Sequence, residues 1–266
     1  MPKCVKLRRY DRVGRAIQLV AYDEATLFLM EQILGRAYPG AEFEVGVPHL
    51  GRYLEEVLTV VPPTPEPAGL EPLCRLLVVT VTIEDELDEC HALDFHQHED
   101  DFGELVRTEI GGERHRAKFQ NNIVDRQSLV KRLAAFIAGH PTYSRAQFVS
   151  GIPAATGGEG GLATLLAADV AGLTGKSVWP VSRASARQQQ KNVDHEDRAT
   201  GIALRQKNQH GSMQCPEGLK GAAVIVLDDL YGSGASLAEA ARALRQAGAG
   251  SILGLAVTKQ LKFTKY

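Results

Sequence analysis

The sequence predicts an α/β protein: a Rossmann-like parallel sheet in the C-terminal half, preceded by a smaller α/β region. Three observations carry this. From Gln147 onward, short apolar runs alternate with helix-length amphipathic segments, the pattern of βαβ units on a parallel sheet. One of these runs ends in two adjacent acids and a glycine-rich turn, Val224-Ile-Val-Leu-Asp-Asp-Leu-Tyr-Gly-Ser-Gly-Ala-Ser-Leu237. The 266 residues, with a formal net charge of -2, have an ordinary globular composition and are enough for one large domain or two small ones.

Taken in order, Ala16 to Tyr22 reads as a strand, Glu24 to Ala37 as an amphipathic helix and Phe43 to Val47 as a half-buried strand. The proline-rich Pro62 to Pro72 reads as a rigid surface connection. Leu76 to Ile83 is β-branched and apolar, as a central strand would be. Glu84 to Asn122 is highly charged and shows no clear period. Asp125 is placed to cap a helix reaching Ala138, with Leu129, Leu133, Phe136 and Ile137 on one face. Then come a strand at Gln147 to Ile152, a helix from about Gly161 to Leu173, a strand at Ser177 to Val181 and a long polar stretch from Ser182 to Lys220. A strand from Ala222 to Leu227, a helix from about Ala235 to Ala247 and a strand from Ile252 to Val257 complete the pattern. The division expected is residues 1–124 as an N-terminal α/β region and 125–266 as the sheet domain. Ligands of such a sheet bind beyond the carboxyl ends of its strands.

Several classes are disfavoured. The four cysteines, Cys4, Cys74, Cys90 and Cys215, have neither disulfide-framework nor zinc spacing, so reduced thiols in a cytoplasmic protein are expected. The basic N-terminus has no apolar run behind it, so no secretory signal is expected, and no stretch is long enough for a membrane span. Gly175-Lys176-Ser177 mimics the end of a Walker A loop, but it precedes a strand instead of opening a helix. Cys90, His91, His96 and His98 cluster in an acidic stretch where a metal site is conceivable, although clustered histidines on a charged loop are more often simply exposed.

The acids and the glycine turn have a direct physical reading. Glycines let backbone approach a ligand closely. Free N–H groups at a helix start, with the helix dipole, favour a phosphate. Ser233 and Ser236 add hydroxyl donors. Asp228 and Asp229 would repel a simple anion, but they suit one that also offers hydroxyls, as a ribose does.

This order of parts resembles the signature of type I phosphoribosyltransferases that binds phosphoribosyl pyrophosphate (PRPP). Asp228, Asp229, Gly232, Ser233, Gly234, Ala235 and Ser236 match position by position, with Gly232 and the serines where threonines are commoner. The resemblance implies that the acids bind the ribose hydroxyls and that the loop Tyr231 to Ser236 binds the 5′-phosphate. It implies that the turn Gly151, Ile152, Pro153 and Ala154 binds pyrophosphate. Mg²⁺ would lie among the ligand's oxygens next to Asp228 and Asp229. Arg183 and Arg198, with Arg187 or Lys191, would stabilise the leaving pyrophosphate. The implied reaction moves a 5-phosphoribosyl group from PRPP to a nucleobase-like nitrogen acceptor.

A further similarity, to ComF-like phosphoribosyltransferases, rests on the spacing Arg183, Gln190, Val193, Arg198. It lacks that family's Arg-Gly-Phe-Asn-Gln string and its cysteine-rich module. The alternatives are therefore a PRPP or nucleotide sensor without catalysis, or a nucleic-acid-associated role supported by the basic stretch Arg183 to Lys207. A homo-oligomer without membrane contact is expected.

Overall fold

The computed structural model describes residues 3–7, 9–21, 24–46, 56–99, 104–154, 161–183 and 210–260. The first part contains β1 (Lys3–Val5), β2 (Arg9–Val13), β3 (Ala16–Ala21), α1 (Glu24–Ala37), β4 (Glu42–Gly46), β5 (Glu56–Val61) and α2 (Leu70–Val79). Then come β6 (Val81–Glu84), β7 (Glu89–Phe95), β8 (Gln97–Glu99), β9 (Leu105–Arg107), α3 (Glu109–Phe119), α4 (Ile123–Gly139) and α5 (Pro141–Ser144). The last part contains β10 (Phe148–Gly151), α6 (Leu162–Thr174), β11 (Ser177–Val178), β12 (Ser182–Arg183), β13 (Met213–Gln214), β14 (Ala223–Tyr231), α7 (Ala235–Gln246) and β15 (Ser251–Lys259).

The main sheet has seven strands in the order β1-β6-β7-β15-β14-β10-β11. From β7 to β11 every pairing is parallel, and β6 and β1 add antiparallel strands at one edge. The expected α/β class with a parallel sheet is what forms. Residues on both sides of the division expected at 124–125 contribute strands to this sheet. β1, β6 and β7 come from before it, and β15 pairs with β7 from Leu253↔Glu89 to Lys259↔Phe95.

Alternation along β14 sorts its side chains onto two faces. Val224 and Val226 pack with Leu237, Ala240, Ala241 and Leu244 of α7. Ile225 and Leu227 pack with Leu133, Phe136 and Ile137 of α4 and with Leu162, Leu166 and Val170 of α6. The chain therefore leaves β10 toward one face, through α6, and leaves β14 toward the other, through α7. A third core lies under a separate antiparallel sheet, β2-β3-β5-β4, which α1 and α2 cover.

Two expected elements are corrected. Leu76 to Ile83 is not one strand, since α2 runs to Val79 and β6 begins at Val81. Leu70, Leu73, Cys74 and Leu77 recur at helical spacing and are buried, so the apolar run spans a helix end and a strand start. Helix α2 thereby takes up the end of the proline-rich connection as well. The cap of α4 is Asn122, whose side chain accepts from the Asp125 amide, so Asp125 stands inside the first turn. Gly175 caps α6 at φ 67°, and Lys176 Nζ donates to the carbonyls of Ser144 (2.8 Å) and Ala146 (2.6 Å), a structural use of Gly-Lys-Ser. Among the described residues no helix is long and apolar enough to cross a membrane.

Leu133 is fully buried between α4 and the sheet, whereas Leu173 is 59% exposed. Leu133→Ala is expected to cost about 2–5 kcal/mol in urea unfolding. Leu173→Ala should stay within about 0.5 kcal/mol of the wild type.

Candidate functional site

The two chain directions part at the carboxyl ends of β10 and β14, a topological switch point, where open α/β sheets place their ligands. Gly151 pairs with Leu227, and the Ile152 amide donates to the Leu227 carbonyl at 2.9 Å. The turn Gly151, Ile152, Pro153 and Ala154 thus lies beside Asp228. Gly151 is required by packing, because a Cβ there would come within 2.6 Å of the Ala163 carbonyl oxygen. Arg183 Nε donates to the Ala154 carbonyl at 2.8 Å and its Nη2 to the Pro153 carbonyl at 3.1 Å. Arg183 therefore holds the turn in place. Arg198, with Arg187, Gln190, Lys191, Val193, Arg205 and Lys207, lies outside the described residues.

Alternation along β14 puts Asp228 on the α7 side and Asp229 on the side of α3 and α4. Asp228 is half-buried, and its Oδ1 accepts from the Asp229 amide at 2.8 Å. Burial, and after it the charge of Asp229, push the Asp228 carboxyl up to about 7. Asp229 is 9% exposed and clamped by two cations of α3. Arg114 Nη2 lies 2.6 Å from Oδ2, and Lys118 Nζ lies 3.0 Å from Oδ1 and 2.8 Å from Oδ2. Helix α3 is fixed by Thr108, which accepts from the Gly111 amide at 3.0 Å and donates to the Phe95 carbonyl at 2.6 Å.

The glycine turn opens α7. Gly234 is its N-cap at φ 82°, a cap residue with no side chain to bond the first amides. A Cβ at Gly234 would run into the Tyr231 hydroxyl, and the positive φ independently favours glycine. Tyr231 is buried under the turn and donates to Asp85 Oδ2 at 3.1 Å. Lys259 Nζ sits 5.1 Å from the Tyr231 ring centre and donates to the Gly232 carbonyl at 3.2 Å. Gly232, Ser233, Gly234 and Ser236 keep partial exposure, while Ala235 is buried. A hollow of about 530 Å³ runs along the flank of α7 and meets the turn only at Ala235.

Sequence reasoning missed Arg114, Lys118 and Lys259. The first two were legible only as a pair of cations four residues apart, one helical face, in a stretch whose period was obscure. The conceived cluster of Cys90, His91, His96 and His98 does not come together. His91 is buried beneath the sheet, Cys90 points to the opposite face and His98 is exposed. His96 is half-buried, and burial, then Arg114, holds its imidazole below the usual range.

No protein-family model matches the chain, and no curated sequence does. Solved structures similar to it are phosphoribosyltransferases. Orotate phosphoribosyltransferase from Aeropyrum pernix aligns at TM-score 0.34 and 16% identity, over 62% of this chain and 74% of that one. Adenine phosphoribosyltransferase from Saccharomyces cerevisiae aligns at TM-score 0.36 and 16% identity, over 72% and 89%. A purine phosphoribosyltransferase from Pyrococcus horikoshii aligns at TM-score 0.32 and 12% identity, over 51% and 82%.

The raised Asp228 carboxyl has a stability consequence. An acid whose folded pKa lies above its unfolded value of about 3.9 favours folding at low pH, and that contribution is lost as pH rises toward the folded value. The window here runs from the unfolded value up to about 7. Asp228→Asn should therefore melt higher than the wild type at pH 8, and the gain should shrink toward zero near about pH 4. Thermal melts at both pH values check this, and an offset independent of pH would refute it.

Proposed function

We propose that the crevice between β10 and β14 binds PRPP and that the protein is a phosphoribosyltransferase acting on a nitrogen acceptor. The observation that carries this is the glycine-capped start of α7 beside a half-buried Asp228 at the switch point. Backbone amides from Gly232 to Ser236 take the 5′-phosphate, helped by the α7 dipole and by Lys259 beneath the turn. Asp228 accepts from a ribose hydroxyl. Asp229 keeps Arg114 and Lys118 at the crevice wall, where they offset the charge of an anionic ligand. The Ile152 to Ala154 turn, held by Arg183, faces the pyrophosphate. Arg198 is proposed to reach the leaving group from the polar stretch.

Asp228 suits Mg²⁺, which takes one or two carboxylates and fills its shell with phosphate oxygens and water. Asp229, with both oxygens on cations, does not fit as a ligand. Mg²⁺ would neutralise pyrophosphate charge as the bond from the anomeric carbon to the pyrophosphate oxygen breaks and the bond to the acceptor nitrogen forms. The transition state has oxocarbenium character. The role of this chain's residues is to hold the ribose ring, exclude water and keep the acceptor nitrogen in line with the anomeric carbon.

A second reading, a PRPP or nucleotide sensor, is favoured by one observation. The Arg114 and Lys118 clamp leaves Asp229 already neutralised, as a binding site needs and turnover does not require.

Calorimetry with PRPP and Mg²⁺, followed by pyrophosphate release across a nucleobase panel, tests both. Binding with release supports the enzyme, binding without release the sensor, and absence of binding refutes both. Asp228→Asn should weaken PRPP binding by about tenfold or more, the loss of a charged hydrogen bond worth roughly 1.5–3 kcal/mol.

A further inference from the structure

At the opposite end of the main sheet, Glu89 and His91 lie two residues apart on β7 and point to the α4 face, where His140 ends α4. The side chains of both histidines are fully buried, and that of Glu89 is 3% exposed. The donor atoms of the three lie within 4.8 Å of one another. Aromatic rings wall the site, with Phe136 at 5.3 Å from His91 and Tyr143 at 4.9 Å from His140 between ring centres.

The hydrogen bonding is lopsided. Glu89 Oε1 has His91 Nε2 and His140 Nε2 both at 2.8 Å, but the His140 contact is not aligned as a hydrogen bond. Glu89 Oε2 and both His140 nitrogens are buried without a hydrogen-bond partner. The ion-pair partners of Glu89 among the described residues are these imidazoles alone, with no lysine or arginine. A carboxylate in so dry a place needs a cation, and orphaned buried polar atoms call for an explanation.

We propose that Glu89, His91 and His140 form a structural site for one divalent cation of the zinc class. It joins the start of β7 to the end of α4. Two imidazoles and a carboxylate are the donor set that zinc accepts, and Glu89 Oε2, buried without a hydrogen-bond partner, is available to the metal as well as Oε1. Zinc bonds of about 2.0–2.2 Å in a tetrahedron hold donors roughly 3.4 Å apart, so each imidazole Nε2, now 2.8 Å from Glu89 Oε1, needs to move only slightly from that oxygen. The outer shell is present on His91, whose Nδ1 stands 3.3 Å from Thr82 Oγ1, where an N–H can donate once Nε2 holds the metal. Behind the carboxylate, the Tyr143 hydroxyl donates to the Gly254 carbonyl at 2.7 Å and fixes β15 beside it. Burial of all three donors points to a structural site, as a catalytic one keeps an open position for substrate.

Metal analysis of the full chain, expressed with added zinc and dialysed, tests this. Roughly one zinc per chain is expected, with a lower melting temperature after chelation and recovery on adding Zn²⁺. Co²⁺ in place of zinc should give visible ligand-field bands. His140→Ala should abolish both metal retention and the Co²⁺ bands, and His98→Ala should abolish neither. If a histidine variant fails to fold, the Co²⁺ spectrum of the wild type still decides. A wild-type chain without stoichiometric metal, without Co²⁺ bands and without a Zn²⁺ shift in melting would overturn the proposal.

Discussion

Neighbouring strands β10 and β14 send the chain to opposite faces of one sheet, and the candidate site depends on that divergence. The strands are held in register from Phe148↔Val224 to Gly151↔Leu227, and β14 then runs on past the end of β10 to Tyr231, carrying Asp228 and Asp229. Helix α6 then packs on Ile225 and Leu227, and α7 on Val224 and Val226. The divergence leaves the carboxyl end of β14 between the helix of one face and the helix of the other. Gly151 and Gly234 are glycine because a Cβ would strike a neighbour, the Ala163 carbonyl in one case and the Tyr231 hydroxyl in the other.

Electrostatics in the crevice are a balance. Two acids at the end of β14 disfavour an anion, and burial, with the charge of Asp229 after it, holds the Asp228 proton toward neutral pH. Arg114, Lys118 and Lys259 supply three cations around the same strand ends. The first two bind Asp229 directly. Lys259 underpins the glycine turn from β15 through the Gly232 carbonyl. A phosphorylated sugar fits such a mixed surface better than a bare anion or a neutral sugar would, because one part of it accepts hydrogen bonds and another donates them.

The glycine turn, the acids and the βαβ order were legible because each has a local cause. β14 is an apolar strand, Gly234 must take a positive φ, and α7 shows its buried face at helical spacing. What was not legible depends on contacts far apart in the chain. Arg114 and Lys118 reach Asp229 across more than a hundred positions, and nothing in their own neighbourhood marks them. Glu89, His91 and His140 form a set only because β7 and the end of α4 meet. Leu76 to Ile83 misled because an apolar run reads alike whether it lies in a helix, a strand or across the join.

The central claim is that the first turn of α7 is a phosphate cradle. Amide-resolved NMR during titration with ribose 5-phosphate addresses it without requiring turnover. The account predicts large amide shifts confined to Gly232 through Leu237, with smaller ones at Ile152 and Ala154. Shifts elsewhere with none in that turn, or no shift at millimolar ligand, would contradict it.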